Sequence, residues 1–164
     1  MSETLYIPNT ENKEEKYVAL LHQIKSLIET EDDLIANLAN ITAVIKEAFR
    51  FFWVGFYIQK NGELVLGPFQ GTLACTRIQI GRGVCGQSVL QQKTLIVDDV
   101  DAFPGHIACS SLSKSEIVVP LIINQYIPLI LDVDHDTYAH FNFIDETYLT
   151  QILQLIGSKH FENL

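Results

Sequence analysis

Three cysteines are the residues of this sequence best suited to redox chemistry. Cys75 and Cys85 lie ten positions apart between glycine-rich turns, within GPFQGTLACTRIQIGRGVCG. Cys109 lies in FPGHIACSSLSKSE, which predicts an exposed loop, and a loop cysteine is a better candidate nucleophile than a strand cysteine. Because their number is odd and a reducing cytosol opens structural disulfides, we expect any disulfide to be transient. The alternative is that all three are small buried hydrophobic residues.

Two aspartates share one side of a predicted strand. Asp132 and Asp134 alternate in PLILDVDH, so both carboxylates point the same way at the end of an apolar run. Because aspartate is disfavoured in strands, such a pair must face water, bind a cation, or raise the pKa of one member by mutual repulsion. Exposure to solvent, where the strand runs into the loop HDTYAHFN, is the equal alternative. Glu116, which begins EIVVPL after a polar loop, could hold a third carboxyl group at the rim of a cavity.

Aromatic residues alternate in the segment WVGFY. Trp53, Gly55 and Tyr57 share one face of a strand, which predicts two aromatic walls with a slot over the glycine. The alternative is ordinary sheet packing, in which the glycine only makes room for a bulky neighbour.

The sequence lacks the spacing of familiar metal and phosphate sites. His106 and Cys109 form an H-x-x-C pair, but no C-x-x-C or H-E-x-x-H accompanies them, and GRGVCG has no phosphate-loop lysine. We therefore expect no structural metal and no cofactor.

Composition favours one small intracellular domain. The 164 residues are 48% hydrophobic, enough for one core, and we expect a single domain over residues 1–164 with a polar leader at residues 1–12. A net charge of −9 disfavours nucleic acid and anionic membranes as partners. The amino terminus does not resemble a signal peptide, and no apolar run reaches the roughly 20 residues that span a bilayer, so we predict a cytoplasmic location.

The periodicity of the apolar residues predicts helices at both ends of the chain and strands between them. Two amphipathic helices come first, with Thr30 and Asp33 suited to capping the second, and a last helix runs from about Asn142 to Phe161. Six strand candidates lie between them, and Asn61-Gly62 predicts a tight hairpin between the first two. The predicted strands are FFWVGFYI, ELVLGPF, ACTRIQI, KTLIVDD, EIVVPLII and IPLILDVD. This order predicts an α+β fold, with a mostly antiparallel sheet of about six strands, helices on one face and loops on the other.

Several of these segments, in this order, closely resemble the free methionine-R-sulfoxide reductases, small enzymes built from a single GAF domain. The segments that carry the resemblance are WVGFY, LVLGPFQG, ACTRI, GRGVCG, IVDDV, FPGHIAC, SEIVVPL and LDVD, and they cover nearly the whole chain. The resemblance implies a thiol-dependent reductase of oxidative-stress defence, which converts free methionine-R-sulfoxide to methionine through a sulfenic acid and an intramolecular disulfide. It further implies recycling by a thioredoxin-type reductant. The oligomeric state stays open between a monomer and a homodimer.

The resemblance also assigns roles to the candidate residues. It implies that Cys109 is the nucleophile, Cys75 the resolving thiol and Cys85 a third thiol for an alternative disulfide or relay. It also implies that Trp53 and Tyr57 surround the methylthio end of the substrate. Glu116, Asp132 and Asp134 would form the acidic side of the pocket, and the candidate proton donors are among these three carboxyl groups.

Two segments depart from the pattern of these reductases. Relatives usually have Cys-Asp-Ser where this chain has Cys109-Ser110-Ser111, and a glycine where it has Tyr126-Ile127-Pro128. The first change bears on the charge around the nucleophile and the second on the pairing of the last strand. The rival functions are a GAF module that only binds a small ligand and a redox sensor that peroxide oxidises.

Overall fold

The computed structural model describes residues 5–107 and 110–162. The predicted nucleophile, Cys109, therefore lies outside the described residues. Four α-helices and six strands occur in this order: α1 (Lys13–Thr30), α2 (Leu34–Phe49), β1 (Trp53–Lys60), β2 (Glu63–Gln70), β3 (Arg77–Gln79), α3 (Gly83–Gln91), β4 (Leu95–Val97), β5 (Ser115–Pro120), β6 (Leu129–His135) and α4 (Phe143–His160), counted over the described residues. The strands form one sheet in the order β3-β2-β1-β6-β5-β4, and every neighbouring pair is antiparallel. The predicted α+β architecture is confirmed.

Side-chain caps set the ends of the helices. Asp33 is the N-cap of α2 and accepts a hydrogen bond from the backbone N–H of Ala36 at 2.8 Å, whereas Thr30 is the last residue of α1. The predicted start of this helix is thus correct in Asp33 but not in Thr30. Asn142 and Asp145 form a capping box at the start of α4, close to the predicted boundary.

Asp145 also joins the first and last helices. Its side chain is fully buried, and its carboxylate accepts hydrogen bonds from the Tyr17 hydroxyl at 2.8 Å and the Lys13 ammonium at 2.7 Å. One carboxylate therefore caps α4 and also holds α1 against it.

The hairpin between β1 and β2 turns at Asn61 and Gly62, as predicted. Both residues have positive φ angles, 52° and 83°, the combination that a type I′ turn requires and that asparagine and glycine tolerate.

β6 completes the centre of the sheet between β1 and β5. Pro128 does not disturb this pairing, because it precedes the strand and its carbonyl accepts a hydrogen bond from the N–H of Gln59 at 2.8 Å.

The two faces of the sheet bury different partners. On one face, α1, α2 and α4 pack on alternating residues of the central strands, such as Val54, Phe56 and Leu131. On the other face, α3 and the loops pack against Trp53 and Tyr57. The helices at both ends of the chain share one face as predicted, whereas the sequence left the segment of α3 open between a loop and a short helix. Among the described residues, no helix is both long and apolar enough to cross a membrane.

Strand register brings distant polar residues together on this second face. Glu116 of β5 lies opposite Asp134 of β6, which in turn lies opposite Trp53 of β1. In the next row, Asp132 lies opposite Gly55. Since side chains at i and i+2 share a face, these residues all project toward α3 and the loops.

Candidate active site

A cavity lies between this face of the sheet, α3 and the loops that follow β2 and precede β5. Its empty volume is about 550 Å³, part of which is open to solvent. Six of the eight predicted site residues line it: Trp53, Tyr57, Cys85, Glu116, Asp132 and Asp134. Cys75 follows the lining residue Ala74 in the chain, and Cys109 lies outside the described residues.

The aromatic wall is held in place by hydrogen bonds to one loop. Trp53 donates from Nε1 to the carbonyl of Thr72 at 3.1 Å, and the Tyr57 hydroxyl donates to the carbonyl of Cys75 at 2.9 Å. The two rings are inclined to each other by 28°, with centroids 6.2 Å apart. The loop that carries Cys75 is thereby anchored to the pocket wall.

The predicted slot over Gly55 is absent. A Cβ at this position would lie 2.9 Å from Cζ3 of Trp53 and closer still to Cη2, because the indole ring folds back over the glycine. The glycine therefore makes room for its neighbour, which was the alternative interpretation. The pocket lies beside the ring instead of between two walls.

Glu116 and Asp132 are buried carboxyl groups beside each other. Burial raises the pKa of both well above the ordinary range, and repulsion from the neighbouring carboxylates raises it further. Oδ1 of Asp132 is fully buried and has no hydrogen-bond partner among the described residues. The alternative that both strand aspartates face solvent is thus wrong for Asp132, and burial favours the neutral form of both Asp132 and Glu116.

Asp134 sits nearer the mouth of the cavity and is only partly buried. Burial raises its pKa to about 6, while the hydroxyl of Ser113, which donates a hydrogen bond to Oδ1, opposes this rise. Asp134 is therefore mostly ionised at neutral pH, and it lies beside two buried carboxyl groups whose pKa values are raised.

The described cysteines differ in state. Cys85 is a free thiol, buried in the first turn of α3, with its Sγ 3.8 Å from Oε1 of Glu116. Burial raises its pKa well above the usual value, and the adjacent carboxyl groups add to the effect, so the thiol is neutral and a poor nucleophile. Cys75 is half-buried and disulfide-bonded.

Three lining residues did not stand out in the sequence, and a fourth, His106, stood out only through its H-x-x-C spacing. Arg82 is exposed at the rim, directly before α3, whose first turn has no side-chain cap. Ser113 and Ser110 also line the cavity, and Nε2 of His106 lies 3.9 Å from Oε2 of Glu116. The H-x-x-C spacing raised a metal-ligand role for His106, which the lack of further ligand motifs disfavoured. In the structure this imidazole lies beside the carboxyl group of Glu116.

Comparison with known proteins agrees with this arrangement. The sequence model of the GAF domain family matches residues 33–159. A solved structure of free methionine-R-sulfoxide reductase from Neisseria meningitidis, in complex with its substrate, superimposes with a TM-score of 0.92 at 49% identity, over 95% of this chain and 94% of that one. The chain belongs to the free methionine-R-sulfoxide reductase family of GAF domains. The expected family is thus confirmed.

Two further relatives are similar to this chain over most of their length. "GAF domain-containing protein A" of Dictyostelium discoideum is 61% identical over 148 residues, which cover 90% of this chain and 94% of the relative. A protein of Escherichia coli named free methionine-R-sulfoxide reductase is 42% identical over 143 residues and 87% of each chain. The similarity therefore extends over nearly the whole length of this GAF domain.

Proposed function

We propose that this protein reduces free methionine-R-sulfoxide to methionine, using cysteine thiols that a thioredoxin-type reductant restores in the cytoplasm. The observation that carries the proposal is the cavity in which an aromatic wall meets two buried carboxyl groups of raised pKa, Glu116 and Asp132, and the less buried Asp134. Relatives that cover nearly all of the chain are named for this reaction, and one is solved with its substrate bound.

The first chemical step uses Cys109 as a thiolate. Its sulfur attacks the electrophilic sulfur of the sulfoxide, the oxygen passes to the cysteine, and one proton is taken up, so the products are methionine and a cysteine sulfenic acid. Two electrons pass from the cysteine sulfur to the substrate. Because oxygen is a poor leaving group without a proton, a neutral acid must lie beside it. Glu116 is our candidate donor, because burial and the neighbouring carboxyl groups of Asp132 and Asp134 raise its pKa.

The free amino acid is recognised by its two charges. Ionised Asp134 binds the ammonium group, and its pKa of about 6 predicts that substrate affinity falls as the pH decreases below this value. Arg82 and the first N–H groups of α3 bind the carboxylate, since a helix amino terminus carries unpaired donors and partial positive charge. A methionine sulfoxide within a protein lacks both charges, which explains selection against it.

The remaining thiols complete the cycle. Cys75 condenses with the sulfenic acid of Cys109 to give a disulfide and water, and a dithiol reductant then supplies two electrons and two protons to reopen the bond. The disulfide-bonded state of Cys75 supports this role. Cys85 is a neutral thiol beneath the pocket and serves as a reserve for an alternative disulfide.

The test is turnover with dithiothreitol and defined substrates. We expect methionine from free methionine-R-sulfoxide, little from the S epimer, and little from N-acetyl-methionine-R-sulfoxide, which lacks the ammonium charge. Cys109→Ser should abolish turnover. Equal rates for the free and the N-acetylated substrate would refute recognition of the ammonium group. Absence of methionine in every reaction would favour a GAF module that only binds a ligand.

A further inference from the structure

Three buried side chains at the floor of the cavity place possible metal donors close together. Cys85 of α3, Glu116 of β5 and Asp132 of β6 each offer one ligand atom, and these atoms lie within 4.8 Å of one another. Sγ of Cys85 and Oε1 of Glu116 are 3.8 Å apart. Two donors at about 2.3 and 2.1 Å from a tetrahedral zinc ion are roughly 3.6 Å apart, so this pair needs almost no movement.

An unpaired atom points to a missing positive ligand at this place. Oδ1 of Asp132 is fully buried and accepts no hydrogen bond from the described residues. A buried acceptor without a partner costs about 1–3 kcal/mol. A cation coordinated here would remove this cost, and the proposed reaction does not.

We propose that Cys85, Glu116 and Asp132 bind a thiophilic divalent cation of the zinc class, and that the bound ion prevents methionine sulfoxide from entering the cavity. One sulfur and two carboxylate oxygens suit zinc or cadmium and disfavour magnesium and calcium, which bind oxygen donors alone. The fourth coordination position is left for solvent or for His106, whose Nε2 lies 3.9 Å from Glu116.

The exclusion of the sulfoxide follows from shared residues. The ion binds the deprotonated forms of the same carboxyl groups that the proposed reaction uses as a neutral acid and its neighbour, so ion and substrate compete for one space. This part rests on the proposed function, whereas the metal site itself does not. Zinc released during oxidation of cellular thiols would then switch the enzyme off reversibly.

Cobalt titration of a variant with one cysteine tests the site. In Cys75→Ser/Cys109→Ser, any thiolate-to-cobalt charge-transfer band must come from Cys85. We expect this band to saturate at one equivalent, to vanish when Cys85→Ser is added, and to require at least about tenfold more cobalt in Asp132→Asn. Circular dichroism checks that each variant is folded. No band in the folded single-cysteine variant, or a band that Asp132→Asn and Glu116→Gln leave unchanged, would overturn the site.

Competition in the same variant tests the exclusion, because without Cys109 no turnover interferes. Free methionine-R-sulfoxide should weaken cobalt binding, and cobalt should weaken sulfoxide binding by the same factor. Fluorescence of Trp53, the chain's single tryptophan, reports sulfoxide binding independently. If the sulfoxide binds and the cobalt affinity does not change, the exclusion is refuted. If the sulfoxide does not bind while the band appears, the proposed function fails and the metal site stands.

Discussion

Gly55→Ala should displace the aromatic wall of the pocket. The new Cβ would lie 2.5 Å from Cβ of Phe69 and 2.9 Å from Cζ3 of Trp53, whereas relaxed carbon contacts are about 3.5–4.0 Å. The indole ring must retreat by about 1 Å, and because Cβ of Phe69 moves only with its backbone, β1 and β2 must also shift apart where Gly55 pairs with Phe69. Overpacking of this kind costs about 1–3 kcal/mol, which lowers the melting temperature by roughly 2–4 °C for each kcal/mol.

The assay combines urea unfolding with steady-state kinetics. We expect Gly55→Ala to lower the unfolding midpoint, raise KM for free methionine-R-sulfoxide and change the fluorescence of Trp53. Gly157→Ala is the matched control, because its Cβ meets the flexible ends of Leu121 at 3.1 Å and Ile123 at 3.8 Å, and alanine favours a helix by up to about 1 kcal/mol. If Gly55→Ala left both the midpoint and KM at wild-type values, the assigned position of the ring would be wrong.

Three further predictions concern an acid, a histidine pair and a helix contact. Glu116→Gln should lower kcat by about 10²–10⁴-fold with a smaller change in KM, measured at saturating dithiothreitol, and an unchanged kcat would remove it as proton donor. Burial, stacking on His135 at 3.5 Å and Lys13 lower the pKa of His140 to about 4, below its unfolded value, so wild type should lose stability as the pH falls from about 6.5 to 4. In urea titrations across this pH range, His140→Gln should lose less unfolding free energy than wild type. Parallel plots of unfolding free energy against pH for the two proteins would contradict the lowered pKa of His140. Asp145→Ala should cost about 3–5 kcal/mol in unfolding free energy, because it leaves buried partners unpaired, and a loss no larger than that of the exposed control Asp32→Ala would refute this.

The strands could be predicted because their signals are local. Asn61-Gly62 specifies a turn that matches the twist of a hairpin, and alternation of apolar residues marks the strands on either side. The capping box of Asn142 and Asp145 likewise lies within four residues of sequence. The sequence left α3 open between a loop and a short helix because it begins in GRGVCG, where glycines suggest a turn, and because packing of Val84 and Val89 on the sheet is needed to stabilise so short a helix.

The candidate site was only partly predictable from the sequence, for a related reason. Alternation correctly placed Asp132 and Asp134 on one face, but the register that sets Glu116 opposite Asp134 depends on pairing between distant strands. The contact of Cys85 with Glu116 depends on α3, so spacing along the chain could not reveal the cluster. The prediction of a slot over Gly55 was wrong because the indole ring turns toward Thr72, and the sequence pattern does not fix this side-chain orientation.

A single turnover without reductant tests the central claim most directly. Fully reduced protein is mixed with excess free methionine-R-sulfoxide, and methionine and free thiols are counted together, followed by mapping of the disulfide. We predict one methionine and the loss of two thiols per chain, with the bond between Cys75 and Cys109. Methionine formed without loss of thiols, or three free thiols and no methionine, would contradict the account.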